Sequence, residues 1–326
     1  MRYARILTAV AGTPWTIHPA KGRAIMDFLA YAAAGGKRSP EEVAAIIGRP
    51  IVADGDASAD RPEHATRPFA VAKRQGGSGD SVEIAILGLK GVISPRLSDE
   101  MDISGPGGTS AEGFARRLNA AVEDPRIAGI IVDVDSPGGN VFGVPEAADA
   151  MFAARGSKPI VAVANPFTAS GALWIASAAD EVVVTPSGEI GSLGVYAYHE
   201  DLSKALETIG VSPTLVKADI SPNKAETHPA FPLTEDAIGD IKASVDRYGE
   251  MFVASMARSR GVSVDHVTSK FGGGRMLGAD DAVAVGMADR IATLDDEIAR
   301  MADLISKPKE AASASVASRR RRMAVI

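Results

Sequence analysis

The sequence predicts an α/β protein built on a largely parallel sheet. Three observations carry that expectation. After Ser81, the strand-like runs "VEIAILGLKGVI", "IAGIIVDV", "KPIVAVA" and "EVVVTP" alternate with the helix-like runs "SAEGFARRLNAAVEDP", "VPEAADAMFAARG" and "SGALWIASAAD". Such alternation is the pattern of parallel strands joined by helical crossovers. The run "IAGIIVDV" is also apolar without a break, as in a strand covered on both faces. Finally, 326 residues with 46% hydrophobic side chains suffice for a sizeable core.

Two regions ahead of Ser81 differ in composition. Residues 1–51 read as a helical extension. Its segment "KGRAIMDFLAYAAAGG" sets Ile25, Phe28, Leu29 and Ala32 on one face and stops at a glycine pair. In "SPEEVAAIIG", a serine cap, a proline at the first helical position and two early glutamates open a second helix. Residues 52–80 are small, charged and rich in Gly and Pro, which predicts a flexible linker.

Residues 81–305 carry the main domain. Within it, "RLSDEMDISGPGGTS" reads as a Gly-rich loop, and Ser110 caps the helix that follows. Farther on come a helix in "EDLSKALETIG", a strand in "PTLVKA" and an irregular loop in "ISPNKAETHPAFPL". A long helix then starts at a Thr234 cap with Glu235 and Asp236 in its first turn. Two shorter helical segments close the domain. Residues 306–326 read as a disordered basic tail ending in Arg319 to Arg322.

Composition narrows the function. No cysteine is present, so disulfides, thiolate catalysis and cysteine-held metals are excluded. A net charge of −6 gives no reason to expect stable nucleic-acid binding. No apolar run approaches the ~18 residues of a membrane span, and the short apolar start ending in "GTPW" is a poor secretory signal.

Chemistry concentrates in three motifs. In "ANPFTASGALWIASAAD", Ser170 stands where a strand hands over to a helix, with Gly171 behind it and unpaired helical amides nearby. A nucleophile needs that exposure and those donors, but a helix cap needs the same position. In "DVDSPGGN", a strand ends in a turn whose glycines expose successive amides, a plausible oxyanion cradle or an ordinary turn. In "SGEIGSLGVYAYH", glycines flank Ser192 ahead of an extended segment able to pair with a peptide as an added strand. For a base, His18, His64, His199, His228 and His266 show no identifying spacing. A desolvated lysine would also serve, and the residues alone select none.

Taken in order, "IIVDVDSPGG" and, about thirty residues later, "TASGALWIASAADEVVVTPSGEIGSLGV" resemble the signal peptide peptidase A family of serine peptidases. The resemblance covers roughly residues 81–300. It implies a fold similar to Clp protease and crotonase, a spiral of ββα units. It also implies that Ser170 is the nucleophile and that a lysine some fifty residues later is the base. The loop "SPNKAETHPAFPLTEDA" resembles the phage branch, the capsid-maturation or prohead proteases. There Lys224 takes the lysine position, followed by Pro229, Phe231, Pro232 and Leu233. Asn223 stands where that branch has histidine, and His228 where asparagine is common. Lys217 is the competing base. The stretch "TPWTIHPAKGRAIMDFL" resembles the leader region of phage and prophage members.

The resemblance further implies Gly139 and Gly171 as oxyanion donors, and a substrate cleft lined by Gly138, Gly191, Ser192, Leu193, Gly194 and Val195. The expected activity is a Ser-Lys peptidase with no metal and no cofactor. Its expected substrates are capsid or scaffold proteins, and its expected setting is a homo-oligomer in the host cytoplasm or a procapsid, in contact with the portal or capsid assembly. Two alternatives use the same architecture: a cellular signal peptide peptidase, and a crotonase-type acyl-CoA enzyme that would give Ser170 and Lys224 no role. A structural capsid component without turnover is a fourth reading.

Overall fold

The computed structural model describes residues 14–19, 23, 68–75, 81–96 and 108–306. Apart from Arg23, the predicted helices within 21–48 lie outside the described residues, as do most of the linker, the loop after Arg96 and the tail beyond Ser306.

The main sheet is mixed and mostly parallel, as the alternation of strands and helices requires. Its centre is β3 (Ser81–Lys90), β6 (Ile127–Ser136) and β8 (Ile160–Ala169), paired parallel in that order. β2 (Ala70–Gln75) adds antiparallel to β3 at one edge. β9 (Glu181–Val184) and β10 (Glu189–Gly191) both pair parallel with β8. β11 (Met276–Gly278) follows β10 antiparallel, and β12 (Arg290–Ile291) follows β9 parallel. A second, small sheet runs in the order β1 (Trp15–Ile17), β7 (Gly138–Asn140), β4 (Ile93–Ser94), β5 (Thr109–Ser110).

The long apolar run in β6 is explained by layers on both sides of the main sheet. Ile130, Val132 and Val134 enter the larger core with α1 (Ala111–Glu123), α2 (Val144–Ala154) and α3 (Gly171–Ser177). Ile131 faces the other way, into a smaller core with Ile298, Met301 and Ala302 of α8 (Leu294–Ser306). Buried on both faces, the strand has no need of alternating polar residues. Gly129 lets α8 come close, since a methyl group there would stand 2.5 Å from the Met301 sulfur. Arg290 and Arg300 both pair with the buried Glu297 and with Glu181, tying α8 to β9 and β12.

α5 (Glu235–Arg260) starts at Thr234, whose hydroxyl accepts from the Ala237 amide, and ends at Gly261 in the left-handed region. Its buried Phe252 stacks on Trp174 of α3, with ring centroids 4.5 Å apart, which fixes the helix behind Ser170. α6 (Val264–Lys270), α7 (Ala279–Ala284) and the short α4 (Ser203–Thr208) complete the helices among the described residues.

Three expectations are corrected. Ala70–Gln75, grouped by composition with the linker, is β2, whose pairing with β3 outweighs its polar character. Trp15–Ile17, inside the stretch read as a helical extension, is a strand. "PTLVKA" forms no strand. Leu215 and Val216 are exposed there, the latter 88%, and no neighbouring strand satisfies the backbone.

Candidate active site

Among the described residues Ser170, Ser192 and Ala225 are the non-glycine residues with positive φ. Ser110, Thr234 and Ser263 show what a cap looks like in this protein. Each has an extended backbone, and its hydroxyl accepts an amide of the first turn. Ser170 has φ 54° and ψ −118°, and its side chain makes no capping bond. That region of backbone space is normally left to glycine and costs a residue with a Cβ about 1–3 kcal/mol. The cap reading is therefore excluded. The backbone is held at both ends: the Ser170 amide donates to Gly191 O at 2.8 Å, and Ser170 O accepts from the Trp174 amide at 3.0 Å. Parallel pairing of β8 with β10 sets Ala169 opposite Gly191. The hydroxyl is left with one contact, to Gly194 O at 3.5 Å, the outer limit of a hydrogen bond. Ser170 is 1% exposed.

The "SPGG" turn lies against Ser170. Ser136 donates to Gly91 O at 2.6 Å and accepts from the Gly138 amide at 3.2 Å, so the Gly138 amide is already engaged. Gly138 has φ 89°, and a Cβ there would stand 2.8 Å from the Gly171 amide nitrogen. Gly139 packs so tightly on the Ile93 backbone that no side chain fits. The Gly171 amide opens α3 and has no partner within that helix. The Gly139 and Gly171 amides thus border one small space beside Ser170. Gly191, Ser192, Leu193, Gly194 and Val195 form the facing wall: Gly191 and Gly194 contact Ser170 as above, and the Ser192 amide donates to Arg275 O at 2.9 Å. Past Val195 the wall borders a cavity of about 360 Å³ lined by Tyr198, His199, Leu233, Ile238 and Val245 among others.

Neither candidate base bonds the Ser170 hydroxyl. Lys224 and Lys217 are both exposed, and Lys217 donates to Pro222 O at 2.9 Å. Among the described residues no lysine is within hydrogen-bond distance of the Ser170 hydroxyl. No group of three or more His, Asp or Glu able to hold a metal occurs among them either.

Sequence reasoning missed two participants. Ser136, quoted only as part of a turn, is the post that orients Gly138. Trp15–Ile17 lies directly across the site, paired with β7 on one side and Tyr196 on the other. Its only sequence signal was a short β-branched run, Thr16 and Ile17, bracketed by Pro14 and Pro19.

Residues 153–307 match the model of peptidase family S49. This stretch, a little under half of the chain, is similar to that family. The S49 match takes in Ser170, the Gly191–Val195 wall, both candidate lysines and α8. The chain is 31% identical over 226 residues to capsid assembly protease C of Escherichia phage lambda, covering 69% of this chain and 50% of that protein. It is 31% identical over 236 residues to head-tail preconnector protein GP5 of Enterobacteria phage P21, covering 72% and 44%. Protease 4 of Salmonella typhi is 29% identical over 204 residues, covering 61% and 32%. The chain therefore spans half or less of the length of these S49 relatives.

Proposed function

We propose that the chain is a serine endopeptidase of the S49 family that cleaves phage scaffold or capsid proteins during head maturation. Ser170 is the nucleophile, Lys224 the general base, and the Gly139 and Gly171 amides the oxyanion donors. One observation carries the reading: a serine held in a glycine-only conformation, its hydroxyl unused by the fold, beside two amides bordering a common space. An acyl-CoA enzyme would have no use for that strain.

The reaction follows from the parts. A neutral Lys224 amine takes the Ser170 proton as the oxygen attacks a peptide carbonyl. The two amides hold the oxyanion, and the lysine returns the proton to the leaving amine. Water, activated by the same amine, then cleaves the acyl-enzyme. The lysine must be brought in. The segment that carries it exposes Tyr198, Ile209, Val216 and Ile220, the last two at 88% and 96%. So much exposed apolar surface supports a homo-oligomer in which a neighbouring copy covers the segment and settles Lys224 against a Ser170. Around this site we place a Clp/crotonase-like spiral within residues 81–305, with β2 as an added edge strand, and a basic tail at 306–326. Among the described residues no helix is long and apolar enough to cross a membrane. The working place is the host cytoplasm or a procapsid.

The test is intact-mass analysis of a co-expressed phage capsid and scaffold protein. Wild-type chain should yield fragments, while Ser170→Ala and Lys224→Ala should slow their formation at least about a thousandfold. Lys217→Ala should leave it nearly unchanged. Fragments formed by Ser170→Ala at the wild-type rate would refute the assignment.

A further inference from the structure

The strand Trp15–Ile17 lies in the cleft as a substrate would. On one side Trp15 exchanges both backbone bonds with Tyr196, at 2.8 and 3.1 Å. On the other side Trp15, Thr16 and Ile17 face Asn140, Gly139 and Gly138 in antiparallel register. The His18 amide donates to Pro137 O at 2.7 Å, and the Val141 amide to Pro14 O at 3.3 Å. Bonded and non-bonded pairs alternate along an antiparallel ladder, so the pair between those two, Thr16 with Gly139, is bonded. The Gly139 amide therefore donates to the Thr16 carbonyl. A Cβ on Gly138 would overlap that same oxygen and stand 2.8 Å from the Gly171 amide. The Thr16 carbonyl thus occupies the space between the proposed oxyanion donors. Its side chain is fully buried, with Oγ1 donating to Gly139 O at 3.2 Å and lying 2.5 Å from where a Gly171 methyl group would be.

We infer that Pro14–His18 is the cleft's resident ligand, bound in substrate register with the Thr16–Ile17 bond presented to Ser170, and that other chains must compete with it. The inference rests on the peptidase reading for the role of Ser170, but the occupancy itself does not. It also names a substrate class. The cleft takes an extended segment with backbone bonds on both edges. At the carbonyl held in the cradle it takes a small or β-branched side chain, because Gly171 and Gly139 leave no depth for a larger one. Next comes an apolar residue, as the buried Ile17 shows, and then one that packs edge-to-face with Phe167, as His18 does at 5.6 Å between ring centroids. Hydrolysis in this register adds water across the Thr16–Ile17 bond, leaving a Thr16 carboxylate and an Ile17 amine.

The experiment measures binding of a fluorescein-labelled peptide of residues 13–19 to the full-length chain by anisotropy. All proteins carry Ser170→Ala, so nothing is cut. One retains the resident strand. A second adds Trp15→Pro and Thr16→Pro, which remove the amides donated to Tyr196 and Gly139. A third adds Thr16→Arg, which cannot fit between the glycines, and guards against an unfolded double-proline variant. A tethered ligand at an effective concentration of about 1 mM, against a Kd of about 100 μM, weakens an added peptide about tenfold. Both strand variants should therefore bind at least about tenfold more tightly than Ser170→Ala alone. Equal affinity in all three, or binding in none, overturns the inference. Mass analysis of the chain with Ser170 intact gives a second reading: a new N-terminus at Ile17 supports the register, and a cut elsewhere between residues 14 and 19 overturns it. Failure of the peptidase reading would show separately, as capsid processing indifferent to Ser170→Ala.

Discussion

Replacing Ser170 by glycine should stabilise the protein while removing the proposed nucleophile. The wild-type residue sits at φ 54° and ψ −118°, a conformation that costs about 1–3 kcal/mol for any side chain with a Cβ. Glycine removes that cost but adds freedom to the unfolded chain, worth about 0.5–1 kcal/mol. The lost hydroxyl contributes little, since its one contact is 3.5 Å long. Ser170→Ala isolates that last effect, because alanine loses the hydroxyl and keeps the strain. The difference between the two variants should be about 0.5–2 kcal/mol in favour of glycine. At about 2–4 °C per kcal/mol, that raises Tm by about 1–8 °C over Ser170→Ala. Scanning calorimetry of the two variants at one concentration reads it directly, and neither should process a capsid protein. A Tm for Ser170→Gly at or below that of Ser170→Ala would refute the claim that strain is stored at Ser170.

Two further outcomes follow from the same packing. Ser136→Ala leaves the Gly138 amide and Gly91 carbonyl without their shared hydroxyl. It should cost about 1–3 kcal/mol in urea unfolding, and on a peptide substrate it should lower kcat more than it raises KM. Around Glu297, burial raises the carboxyl pKa, but the Arg290 and Arg300 bonds outweigh it and hold the group below its ordinary value. Its stabilisation is thus complete above the unfolded carboxylate range and is lost as pH falls through the lower folded value. Glu297→Gln should cost about 1–3 kcal/mol at pH 7, discounted for the partial exposure of both arginines. The gap from wild type in urea midpoint should close as pH falls toward 3; a constant gap would refute the ion-pair account.

The sequence exposed the buried centre of this fold and little of its edge. β6 and β8 are apolar runs long enough to read directly, and the caps at Ser110 and Thr234 appear where their side chains predict them. β2 escaped notice because an edge strand buries only part of one face, so "AVAKRQ" keeps the composition of a linker. The strand expected in "PTLVKA" failed for the converse reason. Its β-branched and apolar residues have strand propensity, but no partner edge lies beside them. From the residue pattern alone Ser170 could be located but not interpreted, since cap and nucleophile share a position in sequence; the nucleophile reading came from the family resemblance. The backbone angles exclude the cap.

The lysine is the part that neither residue pattern nor packing within one chain fixes, and the reason is physical. Ser170, Gly139 and Gly171 are set by a dense core: α3 is buried from end to end, and Trp174 is clamped on Phe252. Lys224 instead lies on a segment whose apolar residues point into water, so its resting place depends on what covers them. Under the proposed dyad, a single chain holds the nucleophile and its cradle but not its base, and its cleft is already filled by Pro14–His18. Under the same proposals other protein would relieve both restraints: a neighbouring copy would seat the lysine, and a concentrated target would displace the strand. Such a peptidase would be nearly silent when dilute and active where copies and targets are packed together, the condition found inside an assembling shell.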